Sequence, residues 1–72
     1  MKTIDRYTPG DLYELIDQHG SQVGRCIFME IIEPGTLTLV EVVRPMHWHF
    51  KVLHKNKIEL YDTSLFSMIE VL

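Results

Sequence analysis

The stretch HWHFKVLHKNKIELY, residues 47–61, holds two apolar-rich runs on either side of a polar Lys55-Asn56-Lys57 centre. Side chains alternate along a strand, so Trp48, Phe50, Val52 and His54 share one face while His47, His49, Lys51 and Leu53 share the other. The first set carries the large apolar groups and is the expected core face. Setting Val52 opposite Ile58 or Leu60 requires a connection of three or five residues. A two- or four-residue loop would set Val52 against Glu59, and the expected register avoids that pairing. Asn56 is the residue there best suited to a left-handed conformation.

This parity leaves His47 and His49 on the outer side. Two histidines at i and i+2 can share a metal, but bound zinc takes three or four ligands and no third stands at a telling spacing. A polar strand face with neither metal nor cofactor is therefore expected. His54 falls at the rim of the core face as a loop-edge residue, and His19, beside Gly20, belongs to a turn or helix end.

Working outward, prolines and glycines punctuate the chain at Pro9-Gly10, Gly20, Gly24, Pro34-Gly35 and Pro45, with short segments rich in Val, Ile, Leu, Phe and Tyr between them. That is the rhythm of an all-β domain. Pro34-Gly35 suits a tight turn. If Glu33 pairs with Thr36, then Ile31, Met29 and Ile27 face Thr38, Val40 and Val42, an apolar set expected to look into the core. The other face mixes Cys26, Phe28, Glu30 and Ile32 with Leu37, Leu39, Glu41 and Val43. It is too apolar for a purely solvated surface, and Phe28, Leu37, Leu39 and Val43 become the candidate subunit contact.

Asp62-Thr63-Ser64 followed by Leu65-Phe66 predicts a single helical turn plugging one end of a barrel. Residues 68–72 predict a last strand with Ile69 and Val71 on one face. Near the start, Thr8-Pro9-Gly10-Asp11 fits a capping box with proline at the first helical position, and Leu12, Leu15 and Ile16 fall on one helical stripe that Gly20 would end. The same residues fit a turn running into a strand, so residues 9–19 stay open between a short N-terminal helix and a strand.

The chain has 72 residues, 46% hydrophobic, with a formal charge of −3. This describes one globular domain over residues 1–72 and not a disordered chain. A domain so short has a marginal core, and Cys26, the one cysteine, allows no internal disulfide. Sharing apolar surface with copies of itself is the remaining reinforcement, so an oligomer is expected. No apolar run is long enough to span a membrane. The first residues, Met1 to Arg6, lack the apolar stretch of a signal peptide, which predicts a cytoplasmic protein.

The opening Pro9-Gly10-Asp11-Leu12, the segment starting Val23-Gly24-Arg25, and the closing Phe50-Lys51-Val52-Leu53, Ile58-Glu59-Leu60-Tyr61 and Ile69-Glu70-Val71-Leu72 resemble the small SH3-like barrels of short phage proteins, cyanophage ones particularly. Val52 to Ile58 is similar to the second motif of the related Sm-like proteins, with Lys55 where glycine is usual. The resemblance implies a mainly β, five- to six-stranded antiparallel barrel of phage origin that assembles into rings. The Asp-x-apolar-Asn of the first Sm motif has no counterpart here, so the uridine pocket does not carry over.

Three functional classes follow. The leading one is a non-catalytic barrel that self-associates through strand edges and its apolar outer surface, serving as a binding or assembly module. The second is an RNA-binding ring using Lys55, Asn56, Lys57 and Arg44, with Tyr61 or Trp48 available for stacking; the acidic balance weighs against it. A host-protein adaptor is a further form of the first. An enzyme is not expected: no nucleophile motif or phosphate-cradling loop is present, Glu30 and Glu41 would only meet across a sheet, and Cys26 reads as a small buried thiol.

Overall fold

The computed structural model describes residues 7–40 and 44–71. They form five antiparallel strands: β1 (Leu12–Asp17), β2 (Gln22–Ile32), β3 (His49–His54), β4 (Lys57–Asp62) and β5 (Phe66–Glu70). All lie in one sheet ordered β4-β3-β2-β1-β5, and the described residues contain no helix.

Residues 9–19 are therefore a turn and a strand. Asp11 N–H donates to the Thr8 carbonyl at 3.1 Å with Gly10 at φ +91°, the geometry of a type II turn with proline second and glycine third. Beyond it the period is two: Tyr13 and Leu15 are buried while Leu12 stays exposed. The side chains that compose a helical stripe in the sequence are split between two faces of a sheet.

β4 and β5 are the two ends of the strand order, yet only Thr63, Ser64 and Leu65 join them. In a flat sheet four interstrand spacings would hold these strands about 19 Å apart. The four Cα steps from Asp62 to Phe66 reach about 14 Å at full extension, and the linker is a turn, with Leu65 N–H on the Asp62 carbonyl at 3.0 Å. The sheet must curl. The rings of Tyr61 on β4 and Phe66 on β5 accordingly meet at 4.9 Å, although the two strands share no ladder. The predicted helical turn at residues 62–66 is this short turn instead, with the Asp62 carboxylate accepting from Ser64 N–H at 2.8 Å and Ser64 Oγ at 2.7 Å.

The curled sheet encloses Tyr13, Leu15, Cys26, Phe28, Phe50, Val52 and Met68. Tyr7 lies edge-on to Phe50 at 5.2 Å and to Tyr13 at 5.3 Å, capping the group from outside the strands. Phe50 and Val52 face inward as their parity requires. Trp48 does not join them: it precedes β3, half buried, and lies outside this cluster.

β2 departs from the parity expected of it. Its core side is Cys26 and Phe28 and, past the bulge, the half-buried Ile31, with Phe28 3% exposed, while Ile27 is 37% exposed. It lies between β1 and β3, with Ile27 opposite Leu12 and Leu53, and residues 36–40 form no strand; Val42 lies outside the described residues. The turn at Pro34-Gly35 does form, with Thr36 N–H on the Glu33 carbonyl at 3.1 Å. One-parity reasoning fails because Met29 is an extra residue: Phe28 pairs with Val52 and Glu30 with Lys51. Phe28 points in and Glu30 out, although they are two residues apart.

Candidate functional site

The β3–β4 connection has two residues, Lys55 at φ +53° and Asn56 at φ +66°. Positive φ at both positions matches the twist of the flanking strands, the usual solution for a two-residue hairpin. The register is therefore Val52 opposite Glu59, the pairing that the sequence reading set aside. Glu59 shares the inner side with His54, Lys57 and Tyr61.

A carboxylate is tolerated there because its partners come with it. Glu59 Oε1 accepts from His54 Nδ1 at 2.8 Å and from the Tyr61 hydroxyl at 2.5 Å. These bonds, Tyr61 first and His54 second, hold the Glu59 carboxyl below its ordinary value despite some desolvation. Burial, then the hydrogen bond to Glu59, pushes the Tyr61 phenol well above its own. His54 is buried, and its Nε2 has no hydrogen-bond partner; that nitrogen faces Gly24, where a Cβ would lie 2.9 Å away. The cluster fixes the hairpin register and closes the end of the core. His54 is thus an inner residue and not only a loop edge. The signal was the parity shared by residues 54, 59 and 61 across a two-residue Lys-Asn turn.

The Glu59 shift sets an acid limb. A carboxyl lowered in the folded state stabilises above its unfolded value near 4.5 and loses that contribution as pH falls through the lower folded value. Unfolding midpoints should drop below pH 4.5, and Glu59→Gln should flatten that part of the profile. Equal acid limbs in the two proteins would contradict the assignment.

Cys26 is buried, its thiol on Met68 Sδ at 3.8 Å, and burial followed by the Glu14 charge raises it to about 11. It is a packed thiol, in keeping with its sequence reading. A raised acidic group favours the folded state below its unfolded value of 9.0 and loses that contribution as pH rises toward about 11. At pH 8 the folded chain is expected to resist a thiol-reactive disulfide reagent until denaturant is added. Immediate stoichiometric reaction would show the thiol to be accessible.

The four residues proposed for RNA are not all together. Lys55, Asn56 and Lys57 are exposed at the hairpin tip, and neither lysine has an ion pair among the described residues. Arg44 lies toward the other end of β3, its guanidinium 3.4 Å from the Gly35 carbonyl, and the six residues of β3 separate the ends by about 17 Å.

Of the candidate subunit contacts, Phe28 is a core residue and cannot serve; Val43 lies outside the described residues. Leu37 and Leu39 are exposed and line an open cleft of about 450 Å³ with Glu30, Ile32, Thr38 and Lys51. Glu30 pairs with Lys51 at 3.4 Å, and Glu41 falls outside the described residues. His49 Nδ1 bonds the His47 carbonyl at 2.7 Å, His47 is exposed, and among the described residues no cluster of three or more His, Cys, Asp or Glu side chains could hold a metal. No described helix is long and apolar enough to cross a membrane.

Among the described residues, neither β4 nor β5 has a strand on its outer side. Thr63 N–H donates to the Trp48 carbonyl, so by alternation the amides of Ile58, Leu60 and Asp62 point away from β3. Val71 N–H donates to the Leu12 carbonyl, so those of Met68 and Glu70 point away from β1. These rows of donors can template strand pairing. No protein-family model, curated protein or solved structure matches the chain.

Proposed function

We propose that the chain is a non-catalytic barrel of the SH3-like or Sm-like kind that assembles with copies of itself through β4 and β5 and acts as a binding or assembly module. The observation that carries this reading is the pair of edges that have no strand partner among the described residues. The curl sets them on neighbouring sides of one small domain, and each has a row of outward amides. Pairing the β5 edge of one copy with the β4 edge of the next is a head-to-tail contact, which closes into a ring when the rotation allows. It also supplies apolar burial that a chain of this length lacks alone.

Light scattering over a range of concentrations tests the reading. A constant mass of several chains is expected. Glu70→Pro deletes an outward amide while leaving the β1 ladder intact, and it should lower that mass severalfold. A wild-type chain that stays monomeric throughout would refute edge assembly.

RNA binding by such a ring is the second reading, favoured by the exposed Lys55-Asn56-Lys57 tip, which a ring would repeat once per copy. Labelled oligouridine should then bind most tightly at low salt and weaken as salt rises. Absence of a shift at low salt would remove this reading.

A further inference from the structure

The register aligns four exposed apolar residues in one row across the outer face: Leu12 opposite Ile27, Ile27 opposite Leu53, and Leu53 opposite Ile58. Each is between 37% and 44% exposed. Such a row covers a few hundred Å² of contiguous apolar surface, comparable to the largest patch on a typical monomer, which is often functional. Charged pairs flank it. Glu14 and Arg25 stand on one side at 3.7 Å, Glu30 and Lys51 on the other at 3.4 Å.

Within each pair, the more exposed member belongs to β2: Arg25 is 64% and Glu30 59% exposed at the side chain. β2 therefore presents a cation, Ile27 and an anion in line. A two-fold axis lying along the apolar row exchanges its two sides. It sets Arg25 of one copy against Glu30 of the other, twice, while Ile27 and Leu53 meet their own copies at the centre. Curled sheets touch along their middle strands, and β2 and β3 are the middle strands of this row.

We infer that the outer row is a face-to-face contact between two copies of this chain, the sheets packed as in an aligned sandwich with Arg25 paired to Glu30 across the axis. A second copy fits because the rim is complementary to itself and the centre is uniformly apolar. This contact uses a different surface from the β4 and β5 edges. If both form, rings pair through their outer rows.

The test is a charge swap read by light scattering and sedimentation equilibrium at physiological salt. Arg25→Glu and Glu30→Arg, each made twice across the axis, should each weaken the face contact by about tenfold or more. The double variant Arg25→Glu/Glu30→Arg should restore it to within about threefold of wild type. All these positions are exposed, so the folded state should persist, with circular dichroism as the check. Ile27→Glu should abolish the contact in a folded chain. Glu70→Pro should leave a two-chain species, whereas the single swaps should halve the wild-type mass. Unchanged mass in the single swaps, or a double variant no better than either single, would overturn the face contact. Edge assembly would be judged separately by Glu70→Pro.

Discussion

Truncating Phe50 to alanine is expected to cost about 3–5 kcal/mol, the range for emptying a buried aromatic site. Phe50 is 2% exposed, stands opposite Tyr61 and Ile31, and receives the edge of the Tyr7 ring. A chain of this length has a total stability of about 4–11 kcal/mol, so the variant should lose a large share of it, and all of it at the lower end of that range. Three residues on, the opposite parity reverses the outcome. Leu53 lies in the outer row, and Leu53→Ala should cost under about 1 kcal/mol in the separated chain. Urea denaturation of both variants below the assembly concentration compares the two faces of β3 directly. Equal losses would mean that the strand is not sided as described.

Gly24→Val is expected to cost about 2–6 kcal/mol, from two sources. Gly24 sits at φ +148°, where a side chain is strained by about 1–3 kcal/mol. A Cβ there would lie 2.9 Å from His54 Nε2, and crowding a packed interior adds about 1–3 kcal/mol. His54 cannot easily retreat, because its other ring nitrogen is held by Glu59. The midpoint of thermal unfolding should fall by at least about 10 °C. Introducing His54→Ala beside Gly24→Val should relieve the crowding and leave the strain, giving a coupling of about 1–2 kcal/mol in a double-mutant cycle. Strict additivity would place the imidazole elsewhere.

Local chemistry was the legible part of this fold. Pro9-Gly10 and Pro34-Gly35 form their turns, Asn56 takes positive φ, Cys26 is packed, and Phe50 and Val52 enter the core, each dictated by one or two residues. What depends on pairing was hidden. The bulge at Met29 switches parity within β2 without any glycine or proline to announce it, so Phe28 was assigned to the surface and Ile27 to the core. Segment 36–40 has the composition of a strand, but β3 takes the place beside β2 that it would have filled. The exclusion of Val52 opposite Glu59 assumed that a carboxylate cannot face inward. His54 and Tyr61 satisfy it, and neither is adjacent in sequence.

The candidate surfaces show the same division. The exposed lysines of the hairpin tip were visible because a turn is a local object. Arg44 was grouped with them by charge alone, and the length of β3 separates them. The outer row from Leu12 to Ile58 draws one residue from each of four strands. It exists only once three registers are known, so no single stretch of sequence contains it.

Amide hydrogen exchange at Ile58, Leu60, Met68 and Glu70, measured at concentrations above and below assembly, tests self-association through the edges most directly. These N–H groups point away from the chain's own ladders. They should exchange as fast as exposed amides without a hydrogen bond when dilute and become protected when concentrated. Fast exchange at high concentration, with the β1 and β2 amides protected as usual, would contradict it.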